Sequence, residues 1–481
     1  MFLITLMLFP ACTSTPTATP APIPTTTALP TLASTATATM VPTITPTATP
    51  QSTPTPKDTA TPAPTPTKDA QAQLQEFLQS ADAMQAIQQY ATAENMNMND
   101  VLARLSQSDA QLKLKDGTWV IVDPGTADPK NGIPGVPLFI YEKEGWREAN
   151  PANIYALIGG RFTISTGSGS LAPNNRLYRD SLLPNFSGIT PDWDFQWQTP
   201  GDSKHGMRPS ENQFNFTNTD FVFNYASQHD FSVIAQPVLP QIPQFIPSWL
   251  EAYRGNKQKL GEVGDAHIRQ LFKHYPNLGY AVLLSELDQT DFKNIWSETF
   301  GEKEALVRFG KTAKAANPKV KLGYSNFGIE FGGEKADHNF KLIQEANAEG
   351  AGIDFVVFQL HLYAPDFSTP EKRADMFAKL RKQIERYHSI NVDVASIEMD
   401  VVAGGQSSFV QKEIWRGAIE TLASSGVKII GVMNGTDKDS WLADVGGPGN
   451  GKPTMFNGDG SKKDTFFGTT TGLLAAVQKS Q

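Results

Sequence analysis

Residues Val392 to Val402 read V-D-V-A-S-I-E-M-D-V-V. Small and β-branched side chains fill the run, with polar Ser389 upstream and Gly404-Gly405 downstream, the pattern of a buried strand. Side chains alternate along a strand, so Glu398 and Asp400 are expected on one face and Ile397 and Met399 on the other. Two carboxylates on one face of an apolar strand are costly unless something uses or pairs them. Glu398 is therefore the first candidate for a reacting group.

Working outward from this strand, apolar strand-like runs alternate with helical ones from about residue 155 onward. The predicted strands are Phe162–Thr166, Gly188–Phe195, Ser232–Val238, Tyr280–Glu286, Lys321–Ser325, Phe355–His361, Val392–Glu398 and Lys428–Met433. Helical periodicity between them marks Asp220–Gln228, Gly264–His274, Ala305–Ala316, Asn339–Glu349, Arg373–Tyr387 and Val410–Ser424. Such alternation predicts an α/β fold, a parallel (β/α)8 TIM barrel over residues 151–481. A doubly wound sheet is the alternative, but no glycine-rich phosphate loop follows any of these strands.

The first part of the chain reads differently. Residues 2–9 form a short apolar run that ends in Pro10-Ala11-Cys12, too short to span a bilayer but suited to a signal core. The chain's only cysteine follows a small residue, which resembles a bacterial lipoprotein cleavage box, so residues 1–12 are read as a lipoprotein-type signal with Cys12 as the lipid attachment. Residues 13–68 are almost wholly Thr, Pro, Ala and Ser. This tract has nothing to bury and is read as a disordered linker that holds a domain off a cell surface. Extended at ~3 Å per residue, it reaches on the order of 150 Å. Residues 69–150 predict a small α+β N-terminal extension: a helical pattern from Ala70, a short helix at Val101–Leu105, and strands at Gly117–Val122 and Val136–Tyr141.

Composition excludes several classes. A net charge of −8 with no Lys/Arg block argues against a nucleic-acid partner. Seven histidines without an H-E-x-x-H or a clustered pairing give no metal-site signal, and no cofactor is expected. Aromatic residues at 10% suffice for both a large core and sugar-stacking surfaces. The expected state is a monomeric extracellular lipoprotein that meets the membrane only through its N-terminal lipid.

In a barrel, reacting groups sit at the C-terminal strand ends. The fourth strand ends V-L-L-S-E at Glu286, and the sixth, V-V-F-Q-L-H-L, places Gln359 and His361 on one face. Glu286 and Glu398 lie 398 − 286 = 112 residues apart, three strands around the barrel. Two carboxyls facing each other at about 5–5.5 Å suit retaining glycoside hydrolysis. Glu286, emerging from Val282-Leu283-Leu284, fits the acid/base role, and Glu398 the nucleophile, with His361 as a donor that Asp400 orients.

The chain from about 155 to 475 resembles glycoside hydrolase family 10, the endo-β-1,4-xylanase family of (β/α)8 barrels. F-S-G-I-T-P-D-W-D-F-Q-W (186–197) is similar to F-N-x-x-T-P-E-N-x-M-K-W, and F-N-F-T-N-T-D (214–220) to F-x-F-x-x-x-D. L-S-E (284–286) stands for V-N-E, A-N-P-K-V-K-L-G-Y-S-N-F (316–327) for A-x-P-x-A-x-L-x-Y-N-D-Y, and F-Q-L-H-L (358–362) for F-Q-x-H. I-E-M-D (397–400) resembles T-E-L-D, and T-D-K-D-S-W-L (436–442) matches T-D-x-x-S-W. The resemblance implies Glu286 as acid/base, Glu398 as nucleophile, and His361 and Asp400 in support. It also implies a sugar cleft lined by Trp441 and Asn326, with Gln359 helping to hold the sugar or the nucleophile.

Departures cluster on the glycone side of the scissile bond. Gln196 and Trp193 stand where the family has a Lys and an Asn, and Gln236 to Gln241 replace H-x-x-x-W-H. Ser285 replaces the Asn before the acid/base, and Met433 or Asn434 stands where a Trp is usual. Gln196, Gln236 and Ser285 are thus expected as retuned sugar contacts. The predicted function is a retaining endo-β-1,4-glycoside hydrolase acting on plant polysaccharide. A surface carbohydrate-binding protein without turnover, and a stalk-and-knob protein without ligand, are the rival readings.

Overall fold

The structure, a computed structural model, describes residues 68–142, 145–165, 174–199, 206–290, 292–445, 447 and 449–481. The predicted signal with Cys12, and the linker up to residue 67, lie outside the described residues. Three helices come first: α1 (Lys68–Phe77), α2 (Ala81–Ala93) and α3 (Met98–Leu105). The sequence pattern predicts two helices here. Ser80 divides the first, because its side chain accepts from Ala83 N at 3.2 Å and caps α2. An antiparallel sheet follows in sequential order, β1 (Gln111–Lys113), β2 (Trp119–Asp123), β3 (Val136–Glu142) and β4 (Gly145–Glu148). Asp123, fully buried at the end of β2, ties helices to sheet. It accepts from Tyr90 Oη at 2.8 Å and from Arg104 Nε and Nη2, each at 2.8 Å.

Helix α4 (Pro151–Ala156) leads into the barrel. Its strands are β5 (Arg161–Ser165), β6 (Gly188–Thr190), β7 (Ser232–Ala235), β8 (Tyr280–Ser285), β9 (Lys321–Asn326) and β10 (Ile353–Phe358). After a break, β11 (His361–Tyr363) continues β10, and β12 (Asp393–Val402) and β13 (Ile429–Met433) complete the ring. Every pairing around it is parallel, and β10 with β12 and β13 with β5 close it. The predicted (β/α)8 barrel is the observed fold. The second strand is shorter than its predicted span, Gly188–Phe195. Pro191 has no N–H to give the ladder, and Asp192–Phe195 coil into a helical turn, α5.

The helices between strands are α6 (Thr217–Gln228), α7 (Ser248–Glu251), α8 (Lys257–His274), α9 (Ile295–Phe300) and α10 (Glu302–Ala316). After them come α11 (Glu334–Ala348), α12 (Pro370–His388), α13 (Ser408–Ser424) and α14 (Asp464–Ser480). Among the described residues no helix is long and apolar enough to cross a membrane. Inside the ring, Ile234, Val282, Phe355, Val357, Ile397 and Ile429 pack together from five strands. Gly323 on β9 makes room for them, since a Cβ there would sit 2.4 Å from the Phe355 ring.

Helix α14 is buried without interruption from Asp464 to Val477. One side lies on α13 and the other is covered by the N-terminal helices and sheet, with Phe467 edge-on to Tyr90 at 4.9 Å. A Lys412–Glu94 ion pair, mostly buried, clamps α13 to the end of α2. The extension is thus the outer wall of the barrel's last helix. Gly468 and Gly472 set the approach: a Cβ would meet Lys412 O at 2.7 Å and Arg416 O at 2.4 Å. Gly→Ala in a helix normally gains up to ~1 kcal/mol. At Gly472 the obstacle is backbone, so Gly472→Ala is expected instead to destabilise by about 1–3 kcal/mol. Urea unfolding measures the change, and an unaltered midpoint would refute the tight α13–α14 contact.

Candidate active site

Two backbone irregularities aim the candidate carboxylates. Val357 pairs with Ala395 and His361 with Asp400, so four steps of β10–β11 span five of β12. On the other flank Ser396 pairs with Ile430 and Met399 with Val432, three steps of β12 against two of β13. One extra residue therefore bulges out of β12 between Ser396 and Met399, and the strict alternation predicted for this strand fails there. Ile397 packs into the inner barrel cluster and Glu398, the next residue, also faces inward. Glu398 Oε1 accepts from Nε2 of Gln236, which follows β7. Strand β7 is not a neighbour of β12 in the sheet, so this hydrogen bond crosses the barrel mouth.

The second irregularity lies in β8. Val282 pairs with Gly323 but Leu284 with Tyr324, leaving Leu283 as an extra residue. Glu286 then adopts a left-handed backbone, φ 51°, unusual for a residue with a Cβ and typical of functional positions. Ser325 O accepts its N–H at 2.9 Å and fixes it. Its Oε1 accepts from Gln359 Nε2 at 2.9 Å, and the same amide reaches Ser325 Oγ at 3.2 Å. Leu360, φ 58°, breaks the strand between Gln359 and His361, so the two diverge from the single predicted face. Gln359 turns to β8 and His361 to β12.

His361 Nδ1 lies 3.1 Å from Asp400 Oδ1, its register partner, and Nε2 lies 3.7 Å from Glu398 Oε2. The imidazole thus stands between two acidic groups. Burial opposes its protonation, but the Asp400 and Glu398 charges outweigh this and hold it well above the ordinary histidine range. Glu286 is raised as well, first by burial and then by the Glu398 charge, with the Gln359 hydrogen bond opposing. A carboxyl whose proton burial holds more tightly than usual thus shares the barrel mouth with one supplied with hydrogen-bond donors.

The other predicted site residues divide. Gln236 and Gln359, expected to contact sugar, are each bonded to a glutamate. Trp441 is 53% exposed and its ring lies perpendicular to that of His361 at 5.4 Å, which places it beside the His361 end of the site. Ser285 is buried at the end of β8, with its carbonyl accepting from Asn294 Nδ2 at 3.3 Å. Gln196 is buried just after α5, and its carbonyl accepts from Met207 N at 2.8 Å. Asn326 is not a cleft residue. It is fully buried, its amide donating to Asp288 and Asn339 at 2.8 Å and to Tyr324 Oη at 3.1 Å. Those partners exhaust its two hydrogens, which corrects its expected sugar contact.

Two residues were missed by sequence reasoning. Glu330 is buried in the loop after β9 and accepts from Leu360 N at 3.2 Å, bracing the turn between Gln359 and His361. Asp288 joins Asn326 to Asn339 of α11 and supports the loop that carries Glu286. Glu330 falls among glycines and Asp288 in a loop, so neither carries a periodic signal. Among the described residues no group of three or more His, Cys, Asp or Glu could hold a metal ion.

Residues 159–471 match the model of Glycosyl hydrolase family 10. Endo-1,4-beta-xylanase 1 of Humicola insolens is 27% identical over 296 residues, 60% of this chain and 62% of that protein. Endo-1,4-beta-xylanase 1 of Gibberella zeae is 24% identical over 302 residues, covering 60% of this chain and 81% of its own length. Among solved structures, xylanase 10B of Thermotoga petrophila in complex with xylobiose superposes with a TM-score of 0.59 at 18% identity, over 68% of this chain and 98% of that one. Xylanase10C of Cellvibrio japonicus in complex with xylopentaose gives 0.58 at 18%, over 68% and 71%.

Proposed function

The chain belongs to glycosyl hydrolase family 10 as a xylanase-like glycoside hydrolase, and from that premise we propose that it cleaves β-1,4-linked plant polysaccharide internally and with retention. The observation that carries this reading is the unlike setting of two glutamates at the barrel mouth. Glu286 is raised above the ordinary glutamate range by burial, while Glu398 accepts from Gln236 and faces His361. A carboxyl raised by burial, paired with one furnished with donors, suits a division into acid and nucleophile.

In the first step Glu286 gives its proton to the glycosidic oxygen, the bond from that oxygen to C1 breaks, and a Glu398 oxygen bonds to C1. In the second, Glu286 takes a proton from water, the water oxygen bonds to C1, and the Glu398–C1 bond breaks. His361, held by Asp400, positions Glu398 and steadies its charge. Trp441 offers a sugar-stacking face at the mouth. The relatives and the xylobiose and xylopentaose complexes favour a xylan-type chain as substrate. Lipidation at Cys12, with the Thr/Pro tract as tether, would fix the enzyme as a monomer on the cell surface.

The test is proton NMR of the full-length protein on xylo-oligosaccharide. New reducing ends are expected to appear first as the β-anomer. First appearance of the α-anomer would sink the retaining mechanism. The replaced glycone residues Gln196, Gln236 and Ser285 favour the rival reading, a carbohydrate-binding protein. Calorimetric binding without any new reducing end would establish that rival.

A further inference from the structure

The loop between β13 and α14 carries Trp441 and runs as two arms. Trp441 lies on the first arm, between two backbone ties to the second. Asp437 N donates to Phe456 O at 3.0 Å, and Ala443 O accepts from Gly451 N at 2.8 Å. The second arm runs along the exit of β12, the strand of Glu398. There Pro453 O accepts from Val401 N at 3.0 Å and Gly451 O from Ala403 N at 2.9 Å.

Lys463 closes the two arms on each other. Its ammonium has three hydrogens, and three groups take them. On the first arm Asp437 Oδ2 accepts at 2.9 Å; on the second the carbonyls of Lys452 and Thr454 accept at 2.8 Å each. Asp437 in turn accepts from Thr454 N at 2.9 Å, so both charged groups span the gap between the arms. The Lys463 side chain is only 10% exposed. Desolvation offsets much of what such an ion pair contributes to stability, so its main consequence is geometric: it holds the Trp441 arm in one place.

The same segment is gripped from outside. The Lys463 backbone is extended, φ −94° and ψ 169°, so the adjacent side chain of Lys462 points the other way. Lys462, its side chain equally buried, pairs with Glu148 at the end of β4 in the N-terminal extension. Its backbone also bridges to Phe456 on the second arm. Two adjacent lysines thus connect the extension to the arm that carries Trp441.

We propose that Lys463 and Lys462 are positioning residues through which the N-terminal extension sets the place of Trp441 at the barrel mouth. The inference rests on the reading of Trp441 as a sugar-stacking residue of a hydrolase. It gives residues 69–150 a part in substrate binding that a wall for α14 alone would not have.

The experiment measures kcat and KM of the full-length enzyme on xylohexaose. Wild type is compared with Trp441→Ala, Lys463→Met and Glu148→Lys, and with the doubles that join each of the last two to Trp441→Ala. Trp441→Ala and Lys463→Met are each expected to raise KM by about tenfold with kcat within about threefold, the mark of lost binding and not of lost chemistry. Glu148→Lys, which sets a like charge against Lys462, is expected to raise KM by about threefold. With Trp441 already removed, neither second substitution should change KM by more than about twofold, because both act through the missing indole. Additive KM effects in the doubles, a wild-type KM in Lys463→Met or in Glu148→Lys, or a fall in kcat with KM unchanged would overturn the assignment. If Lys463→Met fails to fold, Asp437→Asn, which keeps the shape and removes the charge, carries the same comparison. A wild-type KM in Trp441→Ala would defeat the sugar contact and the proposal with it, and wild type inert on xylohexaose would defeat the hydrolase reading itself.

Discussion

Glu398→Ala is expected to lower xylan hydrolysis by about 10⁵-fold or more, because no oxygen remains to bond to C1. The loss should be chemical and not structural. Gln236 Nε2 and His361 lose an acceptor, a change of about 1–3 kcal/mol in stability, which a folded domain of this size survives. Azide then provides the check. Small enough to enter the space of the deleted carboxyl, it should attack C1 of a dinitrophenyl glycoside from the Glu398 side and yield the α-glycosyl azide, a single inversion. The charge of Glu398 is one cause of the raised Glu286. Its removal should let Glu286 release its proton at lower pH than in the wild type, which NMR titration of the Glu286 carboxyl in the two proteins measures. Wild-type turnover by Glu398→Ala, or a β-configured azide product, would strike Glu398 from the nucleophile's role.

The barrel was legible because its strands are buried on both faces and read as short apolar runs at regular intervals. Tyr280–Ser285, with all but its first residue buried, is such a strand. Helix α14 was not legible. Thr469 to Thr471, with Gly468 and Gly472, lower its intrinsic helical preference, and burial on every side erases the polar face that marks an amphipathic helix. Tertiary packing between α13 and the N-terminal extension decides it instead. Strands β1 and β4 were missed for a related reason: short and partly exposed, they owe their form to the neighbours β2 and β3.

At the site, residue types were readable and directions were not. Counting by twos along Val392–Val402 sets Ile397 opposite Glu398, but the inserted residue turns both inward. The same count through F-Q-L-H puts Gln359 and His361 together, whereas left-handed Leu360 sends one to Glu286 and the other to Glu398. Asn326 failed because a sequence cannot reveal that Asp288 and Asn339 take up its hydrogens. Bulges and positive φ angles at strand ends are set by the closed ring and not by local propensity, so they fall where sequence patterns are least informative.

Glu286→Ala is expected to lower xylan hydrolysis by about 10²–10⁴-fold, the usual worth of a positioned acid/base, but to spare the first step on one class of substrate. Dinitrophenolate leaves without a proton, so its glycosides should still form the glycosyl-enzyme on Glu398. The second step then lacks its base, and dinitrophenolate should appear as a burst equal to the enzyme concentration before slowing. Azide needs no base, and it should restore turnover while giving the β-glycosyl azide, two inversions and hence retention, opposite in configuration to the Glu398→Ala product. The pH profile supplies an independent sign. Burial, reinforced by Glu398 and opposed by Gln359, raises Glu286. Wild-type kcat/KM on xylan should therefore fall only as pH climbs past a value above the ordinary glutamate range, where Glu286 loses its proton. In the residual hydrolysis of xylan by Glu286→Ala that alkaline limb should vanish, because the group that titrated is gone. A limb unchanged by the substitution would mean that another residue carries the proton, and the division of labour between the two glutamates would have to be redrawn.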